Sequence, residues 1–191
     1  LSFPYVFEDN GQVYMVPESQ ESDAIHLFRA DNKELTSFSK VRTLLRQERT
    51  EGIHYNYNDS HIYRQDGVYY LFTSYQKDWM YYQELYTTNE FGRNGGSLLH
   101  FNGHLLRVTQ DCHSDYGDNV SLMAIDILTP DDYREHVFQR NVLPANGIFR
   151  DGGHQLNIAR FKDRYVYATD YKQNRWAWYR LWVALRNRIK R

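Results

Sequence analysis

The sequence predicts an all-β chain, and three observations carry that reading. Aromatic residues fill 16% of the 191 positions, 17 of them tyrosine, and aromatic side chains suit pleated, half-buried strands. A unit of apolar strand, two-residue turn and apolar strand recurs four times along the chain. No apolar run approaches the roughly 20 residues that a membrane-spanning helix needs. With 41% hydrophobic and 25% charged residues, a packed core is expected rather than global disorder. A formal net charge of -1 argues against a dedicated nucleic-acid binder. Cys112 is the single cysteine, so no disulfide scaffold is possible.

The four units are 5–16 around Asn10-Gly11, 61–72 around Asp66-Gly67, 97–108 around Asn102-Gly103, and 157–168 around Lys162-Asp163. Asn-Gly and Asp-Gly supply the positive φ angles of tight hairpins. Seven residues after the second turn residue each unit turns polar, at Glu18, Ser74, Gln110 and Asp170. A third strand is expected after three of the units, at 24–30, 83–88 and 120–128. Short antiparallel sheets repeated in this way mark a β-propeller; a β-sandwich with several hairpins is the alternative. The turn-to-turn intervals of 56, 36 and 60 residues are uneven for identical blades. Between the units, 31–52 reads as a loop or short helix whose apolar residues are Val41, Leu44 and Leu45. Thr129-Pro130-Asp131-Asp132 reads as a helix start, with Thr129 as N-cap, Pro130 at the first helical position and two acids favouring the dipole.

Charge divides the chain into a body, 1–171, and a tail, 172–191. From Lys172 to Arg191 there are seven basic residues and no acidic one, leaving 16 basic against 24 acidic residues, a net of -8, for the remainder. Trp178, Trp182, Leu185 and Ile189 share one helical face. The alternation of Trp176, Trp178 and Arg180 also fits a last strand before a shorter helix; a helix from about Trp178 is preferred. Such a helix either docks on the acidic body or makes a peripheral contact with anionic lipid through Trp178, Trp182 and the basic residues. The opening Leu1-Ser2-Phe3-Pro4 reads as the interior of a longer protein.

Several motifs carry a family resemblance. Leu1-Ser2-Phe3-Pro4-Tyr5-Val6-Phe7 is followed by Gly11 and Tyr14-Met15-Val16-Pro17-Glu18-Ser19, then by Asp59-Ser60-His61-Ile62 with Tyr70-Leu71-Phe72-Thr73. Arg93 precedes Gly95-Gly96. Arg107-Val108-Thr109-Gln110-Asp111-Cys112 leads to Tyr116-Gly117, and Leu128-Thr129, Tyr133, Glu135 and His154 come after it. In order and content this resembles the N-terminal domain of plant glucosamine inositolphosphorylceramide transferases and their bacterial relatives. That domain is similar to the five-bladed-propeller glycosidases of the arabinanase, xylosidase and invertase type. The resemblance implies a five-bladed propeller with four blades visible, a preceding Asp-Pro blade missing, and a short C-terminal helix. The missing blade would carry the nucleophile or base of the related glycosidases. The stretch between Thr88 and Arg93 is shorter than the family pattern and lacks its Trp and His-Pro stretch. The implied function is glycosyl transfer or hydrolysis on a sugar of a glycolipid or surface polysaccharide. A noncatalytic carbohydrate-binding propeller serving a partner enzyme domain is the alternative, and a purely structural module the third. No cofactor is expected, and a cytoplasmic or membrane-associated location is favoured over secretion.

Glycosyl chemistry commonly sets two carboxyl groups about the reacting bond, one protonated and one ionised. Asp59 stands eight residues before its hairpin glycine, at the start of an inner strand, and resembles the aspartate that holds substrate or tunes the acid; otherwise it only ends a strand. Glu18 follows Pro17 at the end of an apolar strand and is the candidate general acid, with an inter-blade salt bridge as its other reading. Arg93 is suited to clamp a carboxylate, phosphate or sugar hydroxyl, with Gly95-Gly96 admitting a ligand close to the backbone; it also reads as a simple loop arginine. Gln110 and Asp111 suit sugar hydroxyls or the stitching of one blade to the next, the structural role weighing more for Asp111. Tyr116-Gly117 shapes the following turn. His154 lines an axial pocket or sits as a core histidine. Cys112-His113 with Asp115 lacks a repeated ligand spacing, so no metal is expected. Geometry discriminates: Asp59, Arg93 and His154 should meet at one cavity, with Glu18 at its rim.

Overall fold

The computed structural model describes residues 2–18, 22–46, 55–77, 92–112 and 116–172. These form twelve strands in four antiparallel sheets, each pairing strands adjacent in sequence. The first sheet is the meander β1 (Ser2–Asp9), β2 (Gln12–Glu18), β3 (Ala24–Ala30) and β4 (Phe38–Arg46). The second is the hairpin β5 (Tyr55–Gln65) and β6 (Val68–Lys77). The third is the meander β7 (Leu99–Phe101), β8 (His104–Asp111), β9 (Asn119–Leu128) and β10 (Tyr133–Gln139). The fourth is the hairpin β11 (Leu156–Phe161) and β12 (Arg164–Thr169).

The four hairpin turns lie where the sequence puts them. Asn10-Gly11, Asp66-Gly67 and Asn102-Gly103 each place both residues at positive φ, the two-residue geometry that matches strand twist. The fourth differs: Lys162 alone has positive φ, at 57°, because Asp163 lacks the freedom of glycine. The expected third strands at 24–30 and 120–128 are β3 and most of β9. The expected one at 83–88 and the tail helix from Trp178 lie outside the described residues.

Two readings are corrected. The polar stretch 31–52 contains β4, which pairs with β3 from Ala30↔Phe38 to Ala24↔Arg46; pairing with an already formed strand overrides its charged composition. Thr129-Pro130-Asp131-Asp132 starts no helix. The Thr129 hydroxyl accepts the N–H of Asp132 at 2.9 Å, and the Thr129 N–H donates to the Asp132 carbonyl at 3.0 Å. The same capping chemistry thus closes a turn, because Tyr133, Val137 and the residues between them find partners along β9. Among the described residues the only helical element is one 3-10 turn, Gly147–Phe149.

The sheets meet along seams of different character. Val16, Ile25 and Tyr57 join the first and second sheets in one apolar cluster, with Phe7, Ile62 and Leu71 packed around it. Leu106, Val108, Val120, Leu122, Leu143 and Leu156 join the third and fourth. Between the second and third sheets the contact is largely polar. Beside the Phe72–Tyr133 ring pair at 5.8 Å lie a Tyr63–His100 hydrogen bond and the Asp59–Arg93 ion pair. The first and fourth sheets face each other across a cleft of about 390 Å³, lined by Pro4, Tyr5, Ser97, Gln155 and Asn157 among others.

Candidate functional site

The site begins with a bulge in β5. Asn58 pairs with Ser74 and His61 with Phe72, so Asp59 and Ser60 together oppose Thr73. Two residues against one re-aims the strand locally. Asp59 takes the left-handed conformation, φ 51°, which the short Asp side chain tolerates better than bulkier residues. Its two peptide groups are held from different elements. The Asp59 N–H donates to Glu18 Oε2 at 3.4 Å, a long bond, and its carbonyl accepts from Asn94 Nδ2 at 2.9 Å.

The Asp59 carboxylate is 3% exposed and accepts a hydrogen bond from Arg93 Nε at 2.6 Å. Burial raises the Asp59 carboxyl above the ordinary carboxylate range, and the charge and hydrogen bond of Arg93 oppose that rise. Burial alone would lower the Arg93 guanidinium, but the Asp59 charge beside it raises it overall, so Arg93 stays protonated. Arg93 also lies 5.4 Å from the centre of the Tyr116 ring, a cation–π arrangement. Tyr116, 46% exposed, also packs on the His154 ring at 5.2 Å. His154 thus packs on the same Tyr116 ring that Arg93 faces.

The structure brings Asp59, Arg93 and His154 near one another through Tyr116, but the cleft of about 390 Å³ is lined by other residues. Glu18 is buried against the Asp59 backbone instead of standing at a rim, because its carboxylate accepts the Asp59 N–H. Gln110 is wholly buried: its side-chain amide donates to the Asn94 carbonyl at 2.8 Å, and its Oε1 has no partner. Asp111 ends β8 and is buried next to Cys112, whose thiol is raised chiefly by burial. His113 and Asp115 lie outside the described residues.

The glycine pairs act differently from the expectation. A Cβ on Gly96 would stand 2.0 Å from the Leu156 carbonyl oxygen, and one on Gly95 3.0 Å from that of His154. A Cβ on Gly152 or Gly153 would meet the backbone oxygens of Gly117 or Asp170 at 2.3 and 2.6 Å. These glycines bring backbone against backbone, not backbone against ligand. The segment from Arg93 to Gly96 is threaded between β8 and β11, bonded to Val108 and Gln110 on one side and Leu156 on the other.

Three further residues shape the site beyond the candidates that the sequence suggests. Arg107 is buried, forks onto both oxygens of Glu135 at 2.8 and 2.6 Å, and donates to Asn94 Oδ1 at 2.9 Å. Asn94 is thus the joint through which β8 and β10 reach the Asp59 backbone. Arg107 and Glu135 stand among the resemblance motifs; Asn94 carries no sequence signal beyond its place before Gly95-Gly96.

An all-β chain of short antiparallel sheets, with a buried carboxylate paired to a half-buried guanidinium beside an exposed tyrosine that packs on a histidine, is the class these features define. A family described as "Glucosamine inositolphosphorylceramide transferase 1, N-terminal" matches residues 1–85 and 81–147, and the chain belongs to that family. It is 31% identical over 159 residues to glucosamine inositolphosphorylceramide transferase 1 of Arabidopsis thaliana, covering 71% of this chain and 20% of that protein. It is 30% identical, with the same coverage, to the proteins of that name from the indica and japonica subspecies of Oryza sativa. The chain spans about a fifth of the length of these curated relatives. No solved structure matches.

Proposed function

We propose that this domain handles the sugar of a glycolipid or surface polysaccharide at the Asp59–Arg93–Tyr116–His154 cluster, and that its four sheets are blades of a five-bladed propeller. The relatives' name joins a glucosamine to an inositolphosphorylceramide, which makes a glycolipid head group the reference ligand. The observation that carries the reading is the set of exposed and buried groups at one place. A half-exposed tyrosine face lies against a half-buried, charge-paired guanidinium and packs on an imidazole; a flat aromatic face with fixed planar polar groups suits a pyranose. The propeller reading is supported by Tyr5, which donates to the Ile62 carbonyl at 2.8 Å and lines the same cleft as Ser97 and Gln155. One residue of β1 thereby bonds to the second sheet and shares a cleft with residues just before the third and fourth.

Binding is favoured over cleavage by Asp59 itself, because its carboxylate is buried and committed to Arg93. The test is titration of isotope-labelled protein with glucosamine and with myo-inositol phosphate. Amide shifts are expected at Tyr116, Gly117 and His154, and Arg93→Ala should weaken affinity at least tenfold, the scale of one charge-assisted hydrogen bond. Shifts confined to other sheets, or Arg93→Ala binding as the parent does, would refute the site.

A further inference from the structure

We infer that His154 and Asp170 form a proton-accepting dyad at the mouth of this cluster, giving the domain a catalytic step on a sugar or acceptor hydroxyl. The inference rests on the proposed sugar-handling role and goes past binding. Asp170 holds His154 at two levels. Its Oδ1 accepts the backbone N–H of His154 at 2.9 Å and of Gln155 at 2.7 Å. Its Oδ2 is paired with Nδ1 of the His154 ring. Main chain and ring are thus fixed by one carboxylate, which sets the tautomer with the proton on Nδ1 and the lone pair on Nε2. The Tyr116 ring packs against the imidazole. Gly117, whose φ of 68° favours glycine, runs past the His154 side chain: a Cβ there would stand 3.4 Å from the His154 Cβ.

Exposure separates this dyad from the buried pair beside it. The His154 and Asp170 side chains are 28% and 33% exposed, against 4% for Asp59. The Asp59 carboxylate, 4% exposed and bonded to Arg93, is closed to a hydroxyl arriving from solvent, whereas the His154 side chain is partly open to it. In the step, Nε2 takes the proton of an acceptor hydroxyl or water. The oxygen forms the new bond to the anomeric carbon. The bond from that carbon to the leaving oxygen breaks, and the leaving group departs with the electron pair. The donor is a glycoside with an anionic leaving group, such as a nucleoside diphosphate, which needs no proton. The imidazolium is stabilised by Asp170 and then releases its proton to solvent.

The deciding variant is Asp170→Asn in the full-length protein. Asn keeps an oxygen for the two backbone N–H groups but turns an amide donor towards Nδ1, which moves the ring proton to Nε2 and removes the base. Turnover is measured with nucleoside-diphosphate sugars and nitrophenyl glycosides as donors, and with water or myo-inositol as acceptor. Sugar binding and melting temperature are followed in parallel. The expected result is a kcat lower by about 10²–10⁴-fold, with binding and melting temperature unchanged, and a similar loss for His154→Gln. A parent protein that binds sugar but turns over none of these donors overturns the dyad alone, as does an Asp170→Asn variant with parental kcat. A parent protein that binds no sugar overturns the sugar-handling role and the dyad with it.

Discussion

Asp59 joins a backbone choice to a side-chain choice. A non-glycine residue in the left-handed region costs roughly 1–2 kcal/mol, and it persists because Asn94 and Glu18 hold the peptide groups on either side. The return is direction: the bulge turns the carboxylate onto Arg93. His61, two residues on, poses the opposite problem. It is wholly buried, stacked on Phe72 at 5.1 Å and tilted against Tyr5 at 5.6 Å, and neither ring nitrogen has a partner. Burial, with the nearby Arg107 charge, lowers its pKa from 6.5 to about 3. The unfolded chain protonates this histidine near pH 6.5 and the folded one does not. Stability owed to neutral His61 is therefore full above pH 6.5 and lost as pH falls towards 3, by up to roughly 4–5 kcal/mol. Urea unfolding between pH 7 and 4 should show this fall, and His61→Phe should flatten it. An equal slope in both proteins would mean that other groups drive acid unfolding.

At the scale of the element, the repeat explains the site. The polar residue that closes each hairpin is a strut. Ser74 donates to the Asn58 carbonyl, Gln110 to the Asn94 carbonyl, and Asp170 accepts from His154 and Gln155. Asn58, Asn94 and His154 occupy one repeat position, nine residues before the second turn residue. Glu18 departs from the pattern by reaching the N–H of Asp59 in the next sheet. The third unit depends most on close packing. Gly96→Ala should unfold the domain or lower its stability by more than about 3 kcal/mol, because the added carbon meets the Leu156 carbonyl and not a movable side-chain tip. Thermal melting beside the Gly103→Ala variant, where the carbon meets open space and only the positive φ is strained, separates collision from backbone strain. Arg107→Met should cost about 3 kcal/mol, the low end for a broken buried pair, because Glu135 is left beside no cation but is partly exposed and keeps the Tyr133 hydroxyl. The pair Arg107→Met with Glu135→Leu should recover part of that loss; denaturant midpoints of the two variants decide it.

Across the whole molecule, apolar seams join the sheets in pairs, while the polar seam and the open cleft leave room for chemistry. The fourth sheet is the barest part. Tyr165 and Tyr167 are 67% and 69% exposed, with Phe161 and Val166 beside them. Among the described residues no helix is long and apolar enough to cross a membrane. The basic tail has two expected roles, docking on the acidic body or a peripheral contact with anionic lipid. If it docks, deleting 172–191 should lower the melting temperature; if it contacts lipid, the deletion should abolish co-sedimentation with anionic vesicles, since that attraction comes from its charge. Undiminished co-sedimentation after the deletion would place the lipid contact elsewhere or nowhere.

Much of the fold was legible because hairpins are local. Asn10-Gly11, Asp66-Gly67 and Asn102-Gly103 state their own turn geometry, and the flanking apolar residues state their strands. The convergence of Asp59, Arg93 and His154 was expected from their repeat positions and family motifs, which place them at the inner ends of different units. The features that spacing did not carry depend on partners distant in sequence. The charged β4 is a strand only because β3 offers it an edge, and Thr129 closes a turn only because β9 pairs with β10. The left-handed Asp59 needs Asn94, some 35 residues away. Gly95-Gly96 looks like a ligand cradle until the chain at His154 and Leu156 comes to lie against it. Local rules determined where the chain turns; only the packing of one sheet on another decided which charged pairs are sealed, like Asp59 with Arg93, and which stay partly open to water, like His154 with Asp170.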